Sequence, residues 1–147
     1  MKPRLLMILA VAVLIAADKP PDPVSKKDLD GLQGTWNLVS AMQDGKALPE
    51  DKVKQTTIVF KDDTFLFPEL AEYATSKSGT IKIDATKKPK EMDAISTEKE
   101  VMLGIYKLNG DKYKVCFAPV GKPRPTKLGS TAGSGNILQV WERQKKQ

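Results

Sequence analysis

The chain has no histidine and only one cysteine among its 147 residues. Without imidazole, the Ser-His-Asp and Cys-His nucleophile systems, histidine-bearing zinc sites and most imidazole acid–base chemistry are excluded. One thiol excludes zinc–cysteine clusters and any intramolecular disulfide. Aromatic residues are scarce, at 6%. Only Tyr113 lies directly between C-terminal lysines, Lys112 and Lys114, and one ring makes no stacking platform, so nucleic acid is not an expected partner. No calcium-loop spacing of acids around a glycine and no Asn-x-Ser/Thr acceptor occurs. Neither a metal nor a cofactor is expected. The longest apolar run, Leu5 to Ala17, would rise about 20 Å as a helix, short of the roughly 30 Å of bilayer hydrocarbon, so no permanent membrane span is expected.

That run follows Lys2 and Arg4 and ends abruptly at Asp18-Lys19-Pro20-Pro21-Asp22-Pro23. A basic start, an apolar stretch and a sudden polar boundary read as a signal peptide over residues 1–17, cleaved after Ala17. The protein is therefore expected to be exported, periplasmic or secreted. Residues 18–28 read as a Pro-rich spacer, 29–143 as the folded domain and 144–147 as a basic tail.

Basic residues outnumber acidic ones by 24 to 18, and the excess sits late in the chain. From Asp111 onward Lys112, Lys114, Lys122, Arg124, Lys127, Arg143, Lys145 and Lys146 face only Asp111 and Glu142. This basic C-terminal quarter is a candidate surface for a protein or an anionic surface, against the plainer reading of solvated strand faces and a frayed tail. Cys116 lies in the apolar run Val115-Cys116-Phe117 and is expected to be buried as a small hydrophobe.

Beyond Leu29 the chain alternates apolar and polar residues in short runs closed by turn formers, with no long segment of helical period. Eight strands are expected, at 34–42, 56–60, 64–67, 78–84, 90–96, 101–108, 112–118 and 136–143. Leu48-Pro49-Glu50-Asp51-Lys52 suggests a one-turn helix, and 69–76 a loop or short helix. Asp44-Gly45 and Asn109-Gly110 mark hairpin turns. Eight strands joined up-and-down by short links hide their edges most simply by closing, so the expected fold is an all-β, eight-stranded antiparallel barrel with at most one short helix.

Gly34-Thr35-Trp36 at the start of the first strand, with Arg143 near the end of the last, resembles the signature of lipocalin-type (calycin-type) barrels. There the tryptophan plugs one end and the arginine lies across its ring. Leu32 to Trp36, Asp44-Gly45-Lys46, Ile83 to Lys90, Leu103 to Tyr106, Val115 to Pro119 and Gly121 to Thr126 together resemble a family of small exported domains of unknown function, expanded in Planctomycetes and Verrucomicrobia. The resemblance spans about Leu29 to Arg143. It implies a lipocalin-like barrel with Gly34, Trp36 and Arg143 as a structural plug, and no established activity. The stretch Phe65 to Lys77 departs from the Gly-containing hairpin the resemblance would place there.

Two other motifs fail. Ser96-Thr97-Glu98-Lys99 matches a catalytic Ser-x-x-Lys but falls between strands without its companion Lys-Thr-Gly. The Gly129–Gly135 loop is followed by a strand and lacks the Gly-Lys-Ser/Thr of a phosphate loop, so it reads as a strand connector. With no acid–base constellation, a non-enzymatic protein is expected.

The inward apolar set is the remaining place for function. Strand parity assigns Leu38, Met42, Ile81, Ile83, Tyr106, Leu108, Tyr113, Val115 and Phe117 to the lumen, while the last strand leaves open whether Leu138 and Val140 or Ile137 and Trp141 face in. Two readings follow: a barrel holding a small apolar or amphipathic ligand, or an extracytoplasmic interaction module with a filled lumen. A cavity of about 300 Å³ or more would favour the first.

Overall fold

The computed structural model describes residues 20–69 and 76–146. The segment read as a signal peptide lies outside them, as does most of 69–76. Among the described residues, no helix is long and apolar enough to cross a membrane.

Among the described residues nine strands follow one another in space almost as in sequence: β1 (Gly34–Gln43), β2 (Lys46–Ala47), β3 (Thr57–Lys61), β4 (Thr64–Leu66), β5 (Ser78–Asp84), β6 (Lys90–Ser96), β7 (Val101–Asn109), β8 (Lys112–Phe117) and β9 (Ile137–Arg143). β1 pairs antiparallel with both β3 and β9, which closes eight of them into an antiparallel barrel. The two-residue β2 is a short ribbon folded back on the end of β1. Closure leaves each of the eight barrel strands paired on both sides, which hides their edges.

The turns are built by residues that tolerate positive φ. Asp44 and Gly45 have φ of 51° and 78°, the combination a two-residue type I′ hairpin needs. The β7–β8 turn is displaced by one residue from its expected centre. Asn109 pairs with Lys112, so the turn is Gly110-Asp111, and only Gly110 takes positive φ.

Among the described residues two helices accompany the barrel rather than one: α1 (Pro23–Leu32) and α2 (Glu50–Lys54). α2 lies where proline and two acidic residues suggested it. α1 replaces most of the expected spacer, so the folded body begins near Asp22 instead of Leu29. Asp22 caps the helix, accepting from the Ser25 amide at 2.8 Å and the Ser25 hydroxyl at 2.6 Å, and Pro23 occupies the first turn, where no amide proton is needed. Short polar side chains before a proline read as linker until a surface exists for the helix to cover.

A bulge on β1 changes which residues face inward. Leu38 pairs with Trp141 but Ser40 with Val140, so Val39 is an extra residue and parity reverses beyond it. Ala41 is buried in place of Ser40 or Met42. Met42 therefore does not line the lumen as expected; it pairs with Leu138 on the outer surface. The same register settles β9, whose inward residues are Ile137, Gln139 and Trp141.

Candidate functional site

The end of the barrel at the start of β1 is closed by α1. Trp36 is fully buried, and its indole N–H donates to the Leu32 carbonyl at 2.7 Å. The Arg143 guanidinium carbon lies 4.4 Å from the centre of that ring. Its Nη atoms donate to the Gly31 and Gln33 carbonyls, and its Nε to Asp111 Oδ1 at 2.9 Å. Plug and arginine thus satisfy carbonyls left open where α1 ends, and the positive charge sits where the helix dipole is negative. Gly34 is where the chain turns into β1, with φ of 107°. A Cβ there would lie 3.3 Å from Arg143 Nη1, so a side chain would meet both strain and crowding.

Three further latches hold α1 down. The Ala85 amide donates to the buried Ser25 hydroxyl. Asp28 receives the Lys90 ammonium and the Tyr106 hydroxyl, each at 2.8 Å. The Gln33 amide brackets the Asp62 backbone, accepting at 2.7 Å and donating at 2.8 Å.

The lumen is mostly filled. Every aromatic residue among the described residues belongs to or packs against one core cluster. Tyr113 is the hub, with ring centres of Trp36, Phe60 and Tyr106 at 5.9, 6.0 and 6.5 Å. Phe65, Phe67 and Trp141 form a second group toward the other end. Glycines make room for two rings. Gly104 pairs with Phe117 and Gly79 with Phe65 across their ladders, and a Cβ on Gly104 would lie 2.6 Å from the Phe117 ring.

What remains is a pocket of about 80 Å³ at the end opposite Trp36. Phe65, Phe67, Tyr113 and Trp141 wall it, with Ser76, Ser96 and Glu100 toward its mouth. That exceeds the roughly 10–15 Å³ one water needs and falls far below the roughly 300 Å³ of a drug-sized site. One polar side chain stands on the inner wall. Gln139 is 8% exposed, and its Oε1 accepts from the Trp141 indole N–H at 3.2 Å. Its cross-strand neighbours are Ala41 and Val115, which offer nothing polar, and its Nε2 has no partner among the described residues.

Of the expected lumen residues, Leu38, Ile81, Ile83, Tyr106, Leu108, Tyr113, Val115 and Phe117 lie in or against the core. Only Ile81, Tyr113 and Phe117 reach the pocket. Phe65, Phe67, Met92 and Gln139 were missed, although Phe65 and Phe67 alternate in sequence as inward residues should. Burial lifts the Tyr106 hydroxyl well above its ordinary value of 10.0, reinforced by its hydrogen bond to Asp28. Burial likewise raises Tyr113. Its hydroxyl donates to Met92 Sδ at 3.0 Å, a weak acceptor.

On the outer surface the connection after β8 forms a strap. Arg124 reaches β6, 3.3 Å from Glu91 and 2.7 Å from Asp93, and donates to the Gly104 carbonyl. Beneath the strap Ile105 and Cys116 are buried on the outward parity. The thiol donates to the Gly129 carbonyl at 3.3 Å, and burial raises its pKa, as its apolar setting implied. The Gly129–Gly135 loop clamps the β1–β2 turn through Ser130 and Asp44 and is not part of the pocket. Ser96 and Lys99 occupy a turn, with the Lys99 amide donating to the Ser96 carbonyl, so no helix brings a lysine to that serine.

Both late arginines are therefore internal clips, and the outward charge comes from lysines. Lys107 and Lys114 face each other directly across β7 and β8. Neither has a carboxylate within ion-pair distance among the described residues. No cluster of possible metal ligands exists among them either. Compared with family models, curated proteins and solved structures, the chain matches none.

Proposed function

We propose that the protein is an exported, non-enzymatic interaction module: a barrel too full for a drug- or lipid-sized guest, which meets an anionic surface through its lysine-bearing outer face. The observation that carries this reading is the Lys107–Lys114 pair. Like charges directly opposite in a sheet destabilise it, and a polyanionic partner would turn that cost into binding energy. Export rests on the basic start and short apolar run at 1–17, and the likeness to small secreted barrels accords with it. The lumen volume favours this reading over a lipid carrier, because about 80 Å³ is far short of what such a guest fills.

The test is cosedimentation of residues 18–147 with phosphatidylglycerol and phosphatidylcholine vesicles. Binding is expected only to the anionic vesicles, and it should vanish at about 0.5 M salt, where screening is strong. Lys107→Glu with Lys114→Glu should weaken it at least tenfold. Lys26→Glu with Lys54→Glu changes net charge equally on lysines already paired to Asp30 and Glu50, and should weaken it far less. Equal loss in both double variants, or no binding by the wild type, would remove the assignment.

A further inference from the structure

One row across the outer sheet carries a second chemistry beside its charge. Across β7, β8, β9 and β1, Lys107 faces Lys114, Lys114 faces Val140 and Val140 faces Ser40. Val39, the extra residue of the β1 bulge, lies next to Ser40 and is 48% exposed, while Leu38 and Ala41 on either side of the pair are buried. A bulge re-aims a side chain, and this one turns a valine outward at the end of the row where the lysines stop. The adjacent row, Ile105, Cys116, Leu138 and Met42, is buried or half-buried, and on the plug side Lys112 faces Glu142. Between them runs an open strip of two lysines without a carboxylate partner among the described residues, followed by two valines.

A soluble polyanion would neutralise the lysines and leave the valines in water. An anionic bilayer answers both, because its phosphates lie at the surface and its acyl chains just beneath. The long lysine stems bend toward the headgroups while the shorter valines enter the interface. We propose that the anionic surface met by this protein is a lipid bilayer, docked through Lys107, Lys114, Val140 and Val39 with Val39 as the leading apolar contact. This rests on the docking face proposed above and adds to it the chemistry of the partner.

The test titrates residues 18–147 with phosphatidylglycerol vesicles and, in parallel, with long-chain polyphosphate, which carries the charge without acyl chains. Val39→Thr with Val140→Thr keeps the branched shape and adds hydroxyls; it should weaken vesicle binding about fivefold or more and leave polyphosphate binding unchanged. Val39→Leu adds a methylene and should tighten vesicle binding about two- to fourfold, again without effect on polyphosphate. Lys107→Glu with Lys114→Glu should weaken both. Failure of the wild type to bind vesicles would remove the docking face itself and the bilayer with it. Vesicle binding that the valine variants leave untouched, or valine variants that change polyphosphate binding equally, would keep the face and overturn the bilayer in favour of a soluble polyanion. Should the threonine variant not fold, Val39→Leu decides alone.

Discussion

Arg143 lies over the Trp36 ring while its guanidinium donates to the Gly31 and Gln33 carbonyls. One side chain thereby joins the last strand, the plug of the first strand and the end of α1. The cation–π contact contributes about 0.5–2 kcal/mol, and the carbonyl hydrogen bonds add to it.

Loss of the indole should be the most damaging single change at this end. Trp36→Ala is expected to cost about 3–5 kcal/mol, the range for deleting a large buried ring, read as a lower midpoint in urea unfolding. A loss under about 1 kcal/mol would mean that the ring seals nothing.

Lysine at position 143 keeps the charge but not the planar fork that reaches two carbonyls and a carboxylate together. Arg143→Lys should therefore destabilise the protein, with hydrogen exchange accelerating first at the amides of α1. Uniform acceleration over the whole barrel would contradict the latch.

Gly104 leaves space for the Phe117 ring. Gly104→Ala should cost about 1–3 kcal/mol through overpacking, and Phe117→Leu in the same chain should recover part of it. Simple additivity of the two changes in a double-mutant cycle would show that ring and glycine do not couple.

The like-charged pair on β7 and β8 makes a prediction of opposite sign. Lys107→Glu should stabilise the isolated barrel by about 0.2–1 kcal/mol by placing opposite charges across the ladder. A lower thermal midpoint at low salt would argue that Lys107 is held by something other than repulsion.

Alkaline pH should loosen the barrel. Tyr106 and Tyr113 have folded pKa values above the ordinary 10.0. The folded state thus retains protons that the unfolded chain releases, and the stability they provide is complete below pH 10 and declines as pH rises beyond it. Asp22 acts in the opposite direction. Its hydrogen bonds to Ser25 hold its pKa below the ordinary 3.8, so the cap of α1 is fully present above that value and weakens as pH falls below it. Unfolding followed by circular dichroism across both ranges checks both signs; a midpoint still rising above pH 10 would refute the first.

Much of this architecture is legible along the chain, because a strand's alternation is a local property. Ile81 between Thr80 and Lys82, or the Asp44-Gly45 turn, declares its structure without reference to the rest. Gly34, Trp36 and Arg143 are readable as a plug only through the resemblance to lipocalin-type barrels, because nothing local links residues so far apart. The frame of β9 is not, since Ile137–Trp141 is nearly apolar on both parities and only pairing with β1 and β8 places Gln139 inside. Met42 was misplaced for a related reason: nothing in Trp36 to Met42 marks Val39 as an extra residue, and the reversal becomes visible only once β9 fixes the register. The capping pair Asp22-Pro23 is present, but Pro20 and Pro21 just before it speak for a linker.

The sequence alone determined the all-β class, the order of the eight barrel strands and the absence of imidazole or metal–thiolate chemistry, because periodicity, turn residues and composition act over a few residues at a time. Tertiary structure alone decided that α1 seals one end, that aromatic rings leave a pocket of about 80 Å³ in the lumen, and that Gln139 faces inward. Those outcomes depend on which side chains meet across a closed ladder, and closure joins residues about a hundred positions apart, as in the pairing of Trp36 with Arg143.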